Sequence, residues 1–206
     1  MKNSFNTDVL IIGAGASGIA AAVAAIKAGA SVTVVEKLSY PGGRATASAV
    51  GTICGLFLRG KKEEFVMKGF PKEFALSIMK KSKKEALRFS ENLWFIPCPP
   101  EYFRSTAEDY LANEKINILY NSVVKSISHT NNSIENIVIQ TQKEEISFAV
   151  KSFIDCSGTG VSLNLLEHPM ILDKNHQTAA IVFQVDGIHA ENEFTLHHLI
   201  LKYILK

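Results

Sequence analysis

Over the first 36 positions, apolar residues come in two short unbroken runs separated by an alanine-rich stretch. Residues 8–12 (Asp-Val-Leu-Ile-Ile) are continuously apolar after the aspartate and end at a glycine, the pattern of a parallel strand buried on both faces. Residues 17–28 are rich in alanine, the best helix former, and Gly29 supplies the stop. Residues 31–35 (Ser-Val-Thr-Val-Val) are β-branched and predict a second strand. Strand, helix and strand in this order make one βαβ unit. The stretch 9–26 is also long enough to suggest a membrane span. Asp8 directly precedes it, however, and three glycines interrupt it, so it resolves as strand, turn and helix. No targeting signal and no membrane segment is expected.

Further along, the pattern changes twice. Residues 42–60 are rich in Gly, Ala, Ser and Thr, a composition that packs poorly by itself and suits a chain lying along a ligand. Residues 72–89 predict a helix, with Pro71 at a favoured first-turn position. Pro97-Cys-Pro-Pro100 is a break, and Ser105-Thr-Ala-Glu108 has the form of a capping box that opens a short helix. From Ile116 the period becomes that of strands: 116–119, 123–127, 134–140 and 146–150, then a short run at 153–155 ending at Ser157-Gly158. Residues 179–185 predict a further strand and 195–204 a helix.

Composition narrows the reading only a little. At 206 residues the chain holds one domain, or one and the start of another. Hydrophobic residues make up 47% and charged residues 20%, ordinary values for a globular protein. A net charge of +2 is too small to argue for nucleic acid or an anionic membrane as partner, and the Lys80 to Lys84 cluster reads as a solvated helix surface. Cys54, Cys98 and Cys156 are far apart and form no C-x-x-C, which argues against a disulfide scaffold or a zinc site and fits a reducing cytosol.

The chemistry concentrates at the first turn. Gly13-Ala-Gly-Ala-Ser-Gly18 is G-x-G-x-x-G between a strand and a helix, followed by a second strand that ends in Glu36. In such a turn Gly13 permits the tight bend, Gly15 lets the backbone approach a pyrophosphate, and Gly18 lets helix and strand pack closely. Ala16 and Ser17 then offer helix N-terminal N–H groups to the phosphates. Glu36 stands where a carboxylate accepts hydrogen bonds from ribose hydroxyls, and its charge disfavours a 2′-phosphate. A glycine-rich turn serving packing alone is the competing reading.

The segment Glu36-Lys37-Leu-Ser-Tyr-Pro-Gly42-Gly43-Arg44 resembles the E-K…G-G-R/x segment of FAD-dependent oxidoreductases of the two-dinucleotide-binding-domain flavoprotein superfamily. The resemblance implies FAD as cofactor, with Gly42 and Gly43 beside its pyrophosphate and ribityl chain. It also gives Arg44 a role in offsetting phosphate charge; a surface ion pair is the alternative. Val124, in 121–127, matches the strand whose backbone contacts the adenine ring, and it reads equally well as a plain apolar strand residue. Phe153-Ile-Asp-Cys-Ser157-Gly158-Thr-Gly160 resembles the family's return strand, whose Ser/Thr-Gly turn nears the ADP half; Cys156 and Thr159 replace the usual alanine and aspartate.

The fold expected from the resemblance is α/β: a Rossmann-like FAD-binding domain with a parallel sheet, a helical insert and an antiparallel three-stranded β-meander. It should occupy residues 1–178, with the insert at about 61–113, and 179–206 should begin a truncated substrate domain. Members return later to a C-terminal segment near the flavin. The chain ends at Lys206, so the expectation is a fragment, a non-catalytic remnant, or one subunit of a split enzyme whose second chain supplies the missing C-terminal half. The function implied is redox of a small-molecule substrate through the flavin, in the cytoplasm. An NAD-binding domain is disfavoured by the Gly-Gly-Arg segment and the meander. No catalytic acid or base stands out. Cys54 reads better as a buried inert thiol than as a group at the flavin. His197 and His198 are adjacent and point apart on a helix, and His129, His168 and His176 lack spaced partners.

Overall fold

The structure, a computed structural model, describes residues 4–89, 92–131 and 133–171, together with the isolated positions 182 and 202. The strand and helix expected at 179–185 and 195–204, and with them the start of a second domain, lie outside the described residues.

The βαβ unit forms as the pattern predicts. Strand β1 (Ser4–Ile12) leads into helix α1 (Ala16–Lys27) and strand β2 (Val32–Val35), and β1 and β2 pair in parallel from Val9↔Val32 to Ile12↔Val35. Gly29 ends α1 in a Schellman motif: its N–H donates to the Ile26 carbonyl, and the Ala30 N–H reaches back to Ala25. The remaining elements in chain order are α2 (Arg44–Ala47), β3 (Thr52–Cys54), α3 (Phe70–Ser82), β4 (Leu87–Phe89), β5 (Leu93–Pro97), α4 (Pro100–Leu111), β6 (Ile116–Leu119), β7 (Val123–Thr130), β8 (Ser133–Gln140), β9 (Glu145–Asp155) and α5 (Val161–Leu165).

Six strands make the main sheet, in the order β6-β2-β1-β9-β8-β7. The β6, β2, β1 and β9 strands run parallel, while β9, β8 and β7 form the antiparallel meander. Alternation along β1 divides the core between the two faces. Ile11 joins Ile19 and Ala22 of α1, Phe74 and Ile78 of α3 and Phe103 of α4 on one side. Leu10 and Ile12 meet Ile137, Ile139 and Phe148 of the meander on the other. Each such fully buried large side chain contributes about 1.5–3 kcal/mol.

Four local expectations need correction. The helix expected at 72–89 stops at Ser82, because Lys83 turns left-handed (φ 54°) and its N–H closes on the Met79 carbonyl; 87–89 is then a strand. The helix α4 opens at Pro100 rather than at a capping box on Ser105, since proline is pre-set for the first turn and lacks only an N–H that the helix leaves free there. Ser105 sits mid-helix, its hydroxyl donating to the Tyr102 carbonyl. The strands expected at 146–150 and 153–155 are one strand, β9, which pairs with β8 at its start and with β1 over residues 147–155. The insert is not purely helical: β3, β5 and β4 form a small antiparallel sheet beside α3 and α4.

Candidate functional site

The chain leaves β1 on one side, through α1 to β2, and returns to its other side as β9. Such a switch point leaves a crevice at the carboxyl ends of the strands, the usual ligand position in an open α/β sheet. The ends of all three strands open here into a cavity of about 130 Å³. Ile12 and Gly13 line it from β1, Val35, Glu36 and Lys37 from β2, and Ser157 and Thr159 from the turn after β9. The far wall is Ser122, Val123 and Val124, where β7 begins, with Val161 of α5.

Three turns build the crevice. In the first, Gly13 has φ 98°, and a Cβ there would come within 2.5 Å of the Cys156 carbonyl oxygen. At Gly18 a Cβ would lie 1.8 Å from the Gly13 carbonyl oxygen, so the helix can approach its own turn only with glycine at that position. The second turn is tied to the first by the Gly42 N–H, which donates to the Ala14 carbonyl at 2.8 Å. Gly43 comes so close that a Cβ on it would be 2.9 Å from the Gly15 Cα. Gly15 itself has an ordinary φ of −76°, and a Cβ on it meets only Gly43, at 3.8 Å. The third turn, Ser157-Gly158, follows β9, with the Cys156 N–H donating to Ile12 at 2.8 Å.

Helix α1 points its N-terminus at these turns. No side chain caps it and no acid stands in its first turn, so the N–H groups of Ala16 and Ser17, both exposed, are open to a ligand. Arg44 is exposed at the start of α2 and takes part in none of the ion pairs among the described residues.

Glu36 is 4% exposed, and both carboxylate oxygens are engaged. One accepts from the Ala14 N–H at 2.7 Å and the other from the Leu38 N–H at 2.8 Å. A carboxylate offers about four lone-pair sites, so each oxygen keeps capacity toward the cavity that Glu36 lines. Asp155 is the matching acid of the third turn. Burial acts to raise its pKa, but hydrogen bonds from Ser157 and Ser162 outweigh burial and hold it below the ordinary carboxylate value. Its oxygens accept from the Ser157 N–H at 2.8 Å, the Ser162 N–H at 2.9 Å and the Ser162 hydroxyl. Sequence reasoning passed over this residue, although an Asp two positions before a Ser-Gly turn is a signal for such a side chain-to-backbone bond. Burial, then the charge of Asp155, pushes the Cys156 thiol up. Tyr120, just after β6, is raised first by burial and then by Glu108.

All the sequence-predicted positions gather at this end of the sheet. Gly13, Glu36, Lys37, Val124 and Ser157 line the cavity, and Gly15, Ala16, Ser17, Gly42, Gly43 and Arg44 form or adjoin the two glycine turns beside it. Gly18 supports from below, and Gly158 (φ 74°) shapes the third turn. Thr159, whose role the sequence left in doubt, is part of the cavity wall, as are Ser122 and Val161, for which the sequence carried no signal. Cys54 corrects an expectation: it is exposed on β3, not buried. His129 and His168 are exposed and share a shallow groove with Ile134 and Leu166, while His176, His197 and His198 fall outside the described residues. Among the described residues no three His, Cys, Asp or Glu side chains are grouped to hold a metal, and no helix is long and apolar enough to cross a membrane.

The family model for FAD dependent oxidoreductases matches residues 8–202. Hydroxyneurosporene desaturase of Rhodobacter capsulatus is 58% identical over 41 residues, 20% of this chain and 8% of that protein. Among solved structures, a flavoprotein/dehydrogenase from Cytophaga hutchinsonii aligns with a TM-score of 0.56 at 21% identity, covering 79% of this chain and 42% of the other. THI4 of Thermovibrio ammonificans aligns with a TM-score of 0.52 at 16% identity, covering 79% and 62%. At these identities the structural likeness speaks for the fold, and the chain spans less than two thirds of either protein.

Proposed function

The chain belongs to the FAD-dependent oxidoreductase family, and we propose that the crevice at the ends of β1, β2 and β9 takes the ADP half of FAD. The observation that carries this reading is the match between the cavity and the two halves of that ligand. The apolar wall of Ile12, Val35 and Val124 suits an adenine, and Glu36 stands at its rim with lone pairs to spare for ribose hydroxyls. Beside it, the uncapped N-terminus of α1 and the paired turns Gly13–Gly15 and Gly42–Gly43 suit a pyrophosphate. A side chain on Gly15 would project where the phosphates approach, since only Gly43 lies near its added Cβ. Ser157 and Gly158 close the third side, Lys37 and Arg44 supply nearby positive charge, and Ala16, Ser17 and Gly18 carry the helix end that faces the phosphates.

When bound, FAD supplies the redox step, passing hydride or electrons between a donor and a small-molecule substrate. The residues named here bind and orient it. Because the chain spans only part of its structural relatives, we assign the flavin-ring side of the site and the substrate contacts to protein beyond residues 4–171, in the same chain or in a second one. Residues 1–178 are the FAD-binding unit on this reading. Its three free cysteines suit a reducing cytoplasm.

The test is the absorbance spectrum of the purified chain, with the released cofactor identified by mass. Flavin bands and FAD at about one per chain are expected. A colourless chain that stays colourless with added FAD contradicts the reading, and release of NAD redirects it to a nicotinamide site.

A further inference from the structure

The second glycine turn has an anchor that the nucleotide fingerprint does not contain. Residues 37–43 connect β2 to α2, and Tyr40 lies in the middle of them, three positions before Gly43. The Arg104 guanidinium carbon sits 4.9 Å from the centre of the Tyr40 ring, a cation–π contact. Arg104 is itself oriented: its Nε donates to the Glu108 carboxylate one helical turn on, at 2.8 Å. The helix beneath is fixed, because Phe103 and Ala107 on either side of Arg104 are buried in the core against α1 and α3. At its other end the loop is tied by the Gly42 N–H to the Ala14 carbonyl. Near its start Leu38 is bonded to Glu36 and to Asn121, so the loop is held on the sheet through Leu38, on the first glycine turn through Gly42 and on the insert through Tyr40.

We propose that Arg104 is a positioning residue for the cofactor, holding Tyr40 so that Gly42 and Gly43 stay pressed against Gly13–Gly15. Gly43 occupies a backbone conformation (φ 55°, ψ −134°) with its Cα against Gly15, so a loosened loop separates the two turns over which the pyrophosphate lies. The inference rests on the FAD reading of the crevice. Arg104 touches the loop at Tyr40 and acts through it.

The experiment is a double-mutant cycle on FAD affinity, followed by quenching of flavin fluorescence with the full chain stripped of cofactor. Arg104→Met and Tyr40→Leu are each expected to weaken FAD about two- to five-fold, the scale of an exposed cation–π contact. The double variant should be no weaker than either single. Tyr40→Leu changes no charge, so an equal loss there excludes a mere change of field at the anionic ligand. Tyr40→Phe keeps the ring and should bind like the wild type, and Arg104→Lys should recover part of the loss. Urea midpoints of the flavin-free variants should match the wild type, whereas a purely structural contact lowers them in proportion. If Arg104→Met does not fold, Arg104→Lys and Tyr40→Leu complete the comparison. FAD binding in the wild type with unchanged affinity in Tyr40→Leu overturns this inference alone, as do single losses that multiply in the double variant. A wild type that binds no FAD overturns both it and the function on which it rests.

Discussion

Replacing Glu36 by glutamine changes one atom and separates the two tasks the residue performs. Its carboxylate accepts from two backbone donors at once, Ala14 N–H at 2.7 Å and Leu38 N–H at 2.8 Å, at a site 4% exposed. A glutamine has one oxygen, so its amide group must face one of these N–H groups, donor against donor. The other bond also drops from charge-assisted to neutral. A hydrogen bond to a charged group contributes roughly 1.5–3 kcal/mol and a neutral one about 1, so losing one bond and weakening the other should cost the flavin-free chain about 2–5 kcal/mol in Glu36→Gln. With the urea slope unchanged, that appears as a lower midpoint. FAD affinity should fall as well, by about tenfold for each 1.4 kcal/mol of lost ribose contact. Equilibrium unfolding without flavin and an FAD titration read the two effects separately. If the midpoint of Glu36→Gln stays within about 0.5 kcal/mol of the wild type, the carboxylate does not hold the first turn as described.

Other substitutions and conditions test the site from different sides. Gly18→Ala puts a methyl 1.8 Å from a backbone oxygen, and we expect it to cost upwards of about 3 kcal/mol or to prevent folding; a chain with an unchanged midpoint would contradict the close approach of α1 to its turn. Thiol labelling of the native chain at pH 8 should modify Cys54 first. Cys98 is buried and its pKa is pushed up to about 11, first by burial and then by Glu101, so it should react only after unfolding, and the half-buried Cys156, whose thiol is also pushed up, more slowly than Cys54. Asp155 and Asp8 both have folded pKa values below their unfolded ones, Asp155 through the serine bonds that outweigh burial and Asp8 through Lys151 and Ser31. Stability is therefore complete above the ordinary carboxylate range, near pH 4, and falls as the pH drops below it; Asp155→Asn should flatten that acid limb in unfolding curves taken across pH.

The parts of the fold legible from sequence are those where one physical demand dominates. Every position of β2 and Leu10 to Ile12 of β1 are buried, so both read as mainly apolar runs, and Gly13 and Gly18 between them are required by approaches of 2.5 and 1.8 Å that no side chain tolerates. The small sheet was hidden because its strands are three to five residues long and half exposed. Leu87, Arg88 and Phe89 of β4 all face solvent and show no alternation to read. At α4 the prolines read as a break prove to be the helix start, and the Ser105 box falls inside it, because the buried Phe103 and Thr106 carry the helix's inner face across Ser105. The polar residues around Ser152 suggested a gap in β9, yet pairing with β1 carries the strand through. Within the site, Glu36 was legible as a position but not as a side chain that also ties down Ala14 and Leu38, which depends on how the turn folds back over β2.

The most direct measurement is a parallel titration of FAD into the flavin-free wild type and Gly15→Val. Gly15 has an ordinary backbone conformation and an added Cβ meets nothing closer than 3.8 Å, so a side chain there does not strain the backbone, and the urea midpoints of the flavin-free chains report whether the valine methyls beside Gly43 are also accommodated. The account predicts saturable binding of one FAD by the wild type and loss of binding by Gly15→Val. Equal binding by both, or by neither, contradicts the placement of the cofactor over the glycine turns.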